Sequence, residues 1–158
     1  MPDDTAAGRI DTRLGELGIT LPEARPPLGS YVPAKRVGTI VTTAGQLPIL
    51  DGKEYKGQLG ADLSPEDARA ATRASALNCL AAVKTVVGSL DKVKQVVSVH
   101  GFINSAPGAD GQAAAMNGAS DLMVEIFGEE GKHTRTAVGV AALPGNFAAQ
   151  IYIMVEVE

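Results

Sequence analysis

Few side chains in this sequence could do chemistry, and the familiar combinations are missing. The single cysteine, Cys79, cannot close an internal disulfide, and the two histidines, His100 and His133, stand far apart with no carboxylate motif around them. No Cys/His cluster has zinc-ligand spacing, so no metal site is expected. The C-terminal part offers more. Arg135 supplies a planar, permanently charged guanidinium suited to bidentate capture of a small carboxylate. Gln150, fifteen residues later, has a neutral amide that forms hydrogen bonds but cannot take a proton at neutral pH.

Both residues lie in segments that read as strands. Thr134 to Leu143 and Phe147 to Val157 are joined by Pro144-Gly145, a good type II turn centre, so a hairpin is expected. Strand residues alternate between faces. If the turn pairs Leu143 with Asn146, Val138 and Val140 share the core face with Ile151, Ile153, Val155 and Val157. The other face then holds Arg135, Ala137 and Gly139 beside Gln150, Tyr152 and Met154. Such a face is too poor in Lys, Glu and Thr to be purely solvated, and a second subunit is its simplest cover. A half-exposed sheet is the alternative.

The remaining elements form a frame for that pair. Ile10, Leu14 and Leu17 make a short amphipathic helix ending at Gly18, followed by a Pro-rich connector from Pro22 to Pro27. Val37 to Thr43 is rich in β-branched residues, and Asp51-Gly52 after Leu47 to Leu50 is a hairpin turn signal. Ser64 is a natural N-cap, with Pro65 at the first helical position and Asp67 completing an approximate capping box. The Ala-rich helix that follows runs to Gly88. Val93 to Ile103 reads as a strand, and Gln112 to Phe127 as a helix ended by Gly128. The order predicts one α+β domain, a mixed sheet with two helices packed on one face.

Composition narrows the function classes. The 158 residues suffice for one core without staples. Net charge is −4, basic residues are scattered and Trp is absent, which argues against a nucleic-acid surface. No apolar run approaches a membrane span, and Met1-Pro2-Asp3-Asp4 does not resemble a secretory leader. A cytoplasmic location is expected.

The segment Arg135-Thr-Ala-Val-Gly-Val-Ala-Ala-Leu-Pro144 resembles the C-terminal signature of the RidA (YjgF) family. Gly29-Ser30-Tyr31, Ala44-Gly45-Gln46-Leu47-Pro48, the helix from Ser64, and Asn117 in the second helix follow in the family's order. Asn117-Gly-Ala-Ser-Asp-Leu with Phe127-Gly128 is similar to a longer-chain subgroup. The likeness spans about Pro27 to the C-terminus, dividing the chain into an N-terminal segment, 1–27, and a RidA-like domain, 28–158. It implies a chorismate-mutase-like fold, a homotrimer with ligand sites between subunits, and cofactor-free hydrolysis of 2-aminoacrylate or 2-imino acids to 2-keto acids and ammonia. It also implies that Arg135 binds the substrate carboxylate, with Tyr31, Ala44, Gly45, Asn117 and Ala137 lining the pocket. The expected hairpin register sets Arg135 opposite Met154, about 13 Å from Gln150 in one chain. The two would more readily share a ligand if they came from neighbouring subunits.

The sequence departs from the family at the position of its water-activating glutamate, which is Gln150 here. The usual serine before Gly-Gln is Ala44, and a common cysteine two residues past the arginine is Ala137. These changes leave two readings: a slowed or altered deaminase, or a trimer that binds small carboxylate metabolites without chemistry. Glu125 and Glu156 are candidate replacement bases. A ribonuclease or translation inhibitor is disfavoured by the acidic charge.

Overall fold

The computed structural model describes residues 8–158; the leader reading of Met1 to Asp4 lies outside the described residues. Helix α1 (Arg9–Glu16) is followed by β1 (Ala34–Val37), β2 (Ile40–Thr43), and a small hairpin of β3 (Ile49–Leu50) and β4 (Lys53–Glu54). Then come α2 (Pro65–Val87), β5 (Val93–Asn104), α3 (Gln112–Phe127), β6 (Thr134–Val140) and β7 (Ala149–Val157). The main sheet has strand order β1-β2-β7-β5-β6, antiparallel except for the β5–β6 pair. Both long helices pack on one face, as an α+β chain with this element order predicts.

Local signals act where the sequence places them. Ser64 Oγ accepts from the Asp67 N–H at 3.0 Å, and Pro65 opens α2. Asp51 and Gly52 have φ of 50° and 77°, the left-handed pair that a two-residue hairpin turn requires. Ile10 and Leu14 of α1 are buried in the same core as the two long helices. Gly118 allows α3 to approach α2, since a Cβ there would run into the Arg69 carbonyl. The Thr72 hydroxyl closes the same contact by donating to the Ala115 carbonyl at 2.6 Å.

The expected C-terminal hairpin is wrong. β5 lies between β6 and β7: Arg135 pairs with Val99 in parallel, and Met154 faces Thr42 and Ser98. Pro144–Asn146 does form a tight turn, with Gly145 at φ 59° and Asn146 at φ 56°, but it belongs to a longer connection. That connection steps over the end of β5, where the Asn104 and Ser105 N–H groups donate to Ala148 and Val140 carbonyls. The Gly57 N–H donates to the Asn146 carbonyl, and the Ala148 N–H to that of Tyr55. Only the turn chemistry was visible in the sequence, not the strand inserted beside it.

The insertion also reverses the face assignment of β6. Val138 is 40% exposed, while Ala137 packs against the core, so Arg135, Ala137 and Gly139 lie on the helix side. The assignment for β7 holds: Ile151, Ile153, Val155 and Val157 are buried, and Gln150, Tyr152 and Met154 lie on the helix-free face. There Tyr152 stacks on His100 with ring centroids 4.4 Å apart and stands near Phe102.

Candidate functional site

Arg135 lies on β6, an edge strand, with its side chain toward α3. Its Nη1 donates to Asn117 Oδ1 at 2.7 Å and lies 3.4 Å from Ser120 Oγ. Asn117 and Ser120 are three residues apart and therefore share one face of α3. Among the described residues no carboxylate comes within ion-pairing distance of Arg135, and its Nε and Nη2 have no partner. These two atoms form one edge of the guanidinium, the edge that can hold a carboxylate side-on through two parallel bonds. The arginine is thus oriented by neutral groups and keeps its charge for a ligand. Ala137 follows it two residues along on the same face.

Gln150 belongs to a second group. The loop after β2 is held to β7 by reciprocal backbone bonds between Gln46 and Ile151, at 2.7 and 3.1 Å. Asn78 on α2 holds the same loop from beneath, donating to the carbonyls of Leu47 and Ile49. This brings Gly45 against the Gln150 side chain: a Cβ on Gly45 would stand 2.5 Å from Gln150 Nε2. The missing side chain at Gly45 is what allows this approach. Gly45 also lines a pocket of about 200 Å³ with Leu28, Tyr31, Leu47 and Phe147. The Tyr31 hydroxyl accepts from the Leu28 N–H at 3.2 Å, and the ring is half exposed. Ala44 is fixed by its N–H to the Pro33 carbonyl.

The residues singled out from sequence therefore fall into two sets. Gly45 links Tyr31, with which it lines a pocket, to Gln150, which it touches, with Ala44 next to it in the loop; Arg135 and Asn117 meet elsewhere, with Ala137 on the same face. Arg135 and Gln150 lie two strands apart, offset by three residues and on opposite faces, with Cα atoms roughly 14 Å apart. One chain does not gather them around a common pocket.

The candidate replacement bases are occupied elsewhere. Glu125 pairs with Arg73 at 3.3 Å, and Glu156 accepts from Gln95 at 2.7 Å and lies 4.0 Å from Lys94. Cys79 is fully buried beneath β7, where its thiol lies 3.2 Å from the Ile151 carbonyl oxygen. Burial pushes that thiol from 9.0 up to about 12, which removes it as a nucleophile. Ser120, which touches Arg135, and His133, which touches Ser120, were not among the sequence candidates. Spacing could have found them, because His133 precedes Arg135 by two and Ser120 follows Asn117 by three.

Comparison with known proteins gives a consistent answer. The model of the family described as "YjgF/chorismate mutase-like, putative endoribonuclease" matches residues 11–157. The chain is 44% identical over 153 residues to Protein TCP17 of Trypanosoma cruzi, covering 96% of each. A solved structure from Shewanella oneidensis, which carries the same endoribonuclease description, is 38% identical with a TM-score of 0.90 over 94% of this chain and 99% of that one. Escherichia coli TdcF, solved with serine bound, is 23% identical with a TM-score of 0.60 over 86% of this chain and 94% of that one; the likeness there is one of fold. No described helix is long and apolar enough to cross a membrane.

Proposed function

The chain belongs to the YjgF/chorismate-mutase-like (RidA) family, and from that premise we propose that it hydrolyses 2-imino acids and their enamine tautomers to 2-keto acids and ammonia. The observation that carries this reading is Arg135. It is an exposed guanidinium held by Asn117, and among the described residues its side-on edge is free and no acid stands beside it. That arrangement suits a small α-carboxylate.

In this reaction the enamine tautomerises to an imine. Water adds to the imine carbon as the C=N π pair moves onto nitrogen, which takes the water's proton through solvent; the carbinolamine hydroxyl proton then passes to nitrogen in the same way, the C–N bond breaks, and keto acid and ammonia leave. Arg135 holds the carboxylate and so fixes the imine carbon. Gln150 orients the attacking water through its amide. Since that amide takes no proton, turnover is slower than with a carboxylate by about 10²- to 10⁴-fold, the usual contribution of a general base. No step calls for a cofactor.

The division of candidate residues between two faces supports a site completed between copies of the chain. One copy contributes Arg135, Asn117 and Ala137; its neighbour contributes Tyr31, Ala44, Gly45 and Gln150. A homotrimer of cytoplasmic subunits is the assembly we propose. The serine bound to TdcF is consistent with an amino-acid-like ligand for such a fold. The endoribonuclease description is a weaker fit to a chain of net charge −4 without a basic stripe.

One observation favours a second reading, a non-catalytic binder of small carboxylates. Among the described residues the Gln150 side chain makes no hydrogen bond, so nothing within one chain aims its amide at a water. Ammonia and keto-acid release from freshly generated imino acids, above spontaneous hydrolysis, separates the two. Turnover that depends on Arg135 supports the deaminase. Saturable keto-acid binding without turnover supports the binder.

A further inference from the structure

We propose that His133 and Ser120 are positioning residues that hold Arg135 in its carboxylate-accepting orientation. The inference rests on Arg135 being the carboxylate-binding group of the proposed function, not on turnover. Three contacts run in series from Gly131 to Arg135, and their polarity is fixed at one end. His133 Nδ1 lies 2.6 Å from the Gly131 carbonyl oxygen. A carbonyl only accepts, so the Nδ1 carries the hydrogen. In the neutral ring, Nε2 is then a bare acceptor.

Ser120 Oγ lies 2.9 Å from that Nε2, so its hydroxyl hydrogen donates to the ring. With the hydrogen committed, Ser120 Oγ presents only lone pairs elsewhere. Arg135 Nη1, 3.4 Å away, meets an acceptor rather than a competing donor. Together with Asn117 Oδ1 at 2.7 Å, this gives both hydrogens of Nη1 an acceptor on α3. The guanidinium is then fixed about its long axis, and the Nε/Nη2 edge faces away from the helix.

Without His133, the Ser120 hydroxyl loses the acceptor that fixes its rotation, so its lone pairs are no longer held toward Arg135 and the second contact weakens. The fixed end of the series is itself well seated. Gly131 closes a 3-10 turn, Gly128–Gly131, that rests directly on α3; a Cβ at Gly131 would run into the Met123 carbonyl. The nearby formal charges are engaged elsewhere: Asp121, beside Ser120, lies 3.6 Å from Arg69, and Lys132 pairs with Glu129 at 2.9 Å.

The test uses the whole chain with pyruvate as the probe. Pyruvate affinity is measured calorimetrically for wild type, Ser120→Ala, Ser120→Thr and His133→Asn. The asparagine keeps a donor for the Gly131 carbonyl but has nothing in place of Nε2. KM and kcat for an imino acid are measured alongside. Removing one long hydrogen bond from the clamp weakens binding about 5-fold, so Ser120→Ala and His133→Asn raise the pyruvate Kd and the KM by that factor with kcat unchanged. Ser120→Thr retains the hydroxyl and stays within about 2-fold of wild type. Nitrogen-15 shifts of the His133 ring show Nδ1 protonated and Nε2 bare in wild type.

Wild-type affinity in both Ser120→Ala and His133→Asn overturns the inference, as does a ring protonated at Nε2. A fall in kcat at constant KM overturns it too, because the pair would then act on protons rather than on the clamp. Failure of the deaminase reading looks different: a wild type that binds pyruvate through Arg135 without turnover leaves this inference standing. A wild type that binds no pyruvate sinks both.

Discussion

At the Arg135 end, Asn117 and Ser120 of α3 meet one guanidinium, and His133 backs Ser120 from the segment before β6, so its hydrogen-bond partners are already in place within the chain. At the Gln150 end, the backbone is equally well fixed, by the Gln46–Ile151 bonds and by Asn78, but among the described residues the Gln150 amide has no hydrogen-bond partner. The first end is organised before any ligand arrives. The second has a rigid frame around a side chain that still lacks its counterpart. On the proposed reading, one chain orients the group that holds the carboxylate, whereas the rest of the pocket and the handling of water depend on what a neighbour brings.

The largest effect should come from breaking the organised end. Arg135→Ala removes the charged partner of the carboxylate and should lower kcat/KM, or keto-acid affinity in a binder, by about 10³-fold. Next is the other end: Gln150→Glu supplies the missing proton acceptor and should raise kcat by about 10²-fold with little change in KM, read by ammonia release. A rise in KM alone would mean that position 150 touches the ligand rather than the water.

Smaller effects probe the frames. Gly118→Ala pushes a Cβ into the Arg69 carbonyl and separates α3 from α2, at a cost of about 2 kcal/mol, or a Tm lower by roughly 6 °C. That strain should weaken pyruvate binding at the Arg135 end and leave the Gly45 loop intact. Cys79 supports the Gln150 end. Its thiol titrates at about 12 when folded against 9.0 in the open chain, so the folded protein holds the proton more tightly between those values. Stability present below pH 9 is therefore lost as pH rises through that window, and Cys79→Ala should flatten this part of the pH–stability curve.

Much of the frame was legible because local signals were consistent with it. Ser64-Pro65 starts α2, Gln112 to Phe127 is α3, and Asp51-Gly52 turns a hairpin, each fixed by a few neighbouring residues. The likeness to RidA also followed from short motifs in order, and the family and its fold are as that likeness implied. What was not legible is non-local. Pro144-Gly145 turns the chain just as a hairpin would, and nothing in its residues records that β5 occupies the place beside β6. That one misreading put Arg135 and Gln150 on the same face. His133 was passed over for want of a carboxylate, although its partner is a backbone carbonyl that no sequence motif displays.

Subunit mixing tests the central claim, that one site draws its halves from two copies, most directly. Chains carrying Arg135→Ala and chains carrying Gly45→Phe, the latter placing a ring where Gln150 packs, are unfolded and refolded separately and together. Each alone should neither bind pyruvate nor turn over imino acid. Mixed in equal amounts, about a quarter of the interfaces pair an intact arginine half with an intact glycine half, so about a quarter of wild-type binding and turnover should return. No recovery in a mixture that demonstrably co-assembles would contradict the account and confine the site to a single chain.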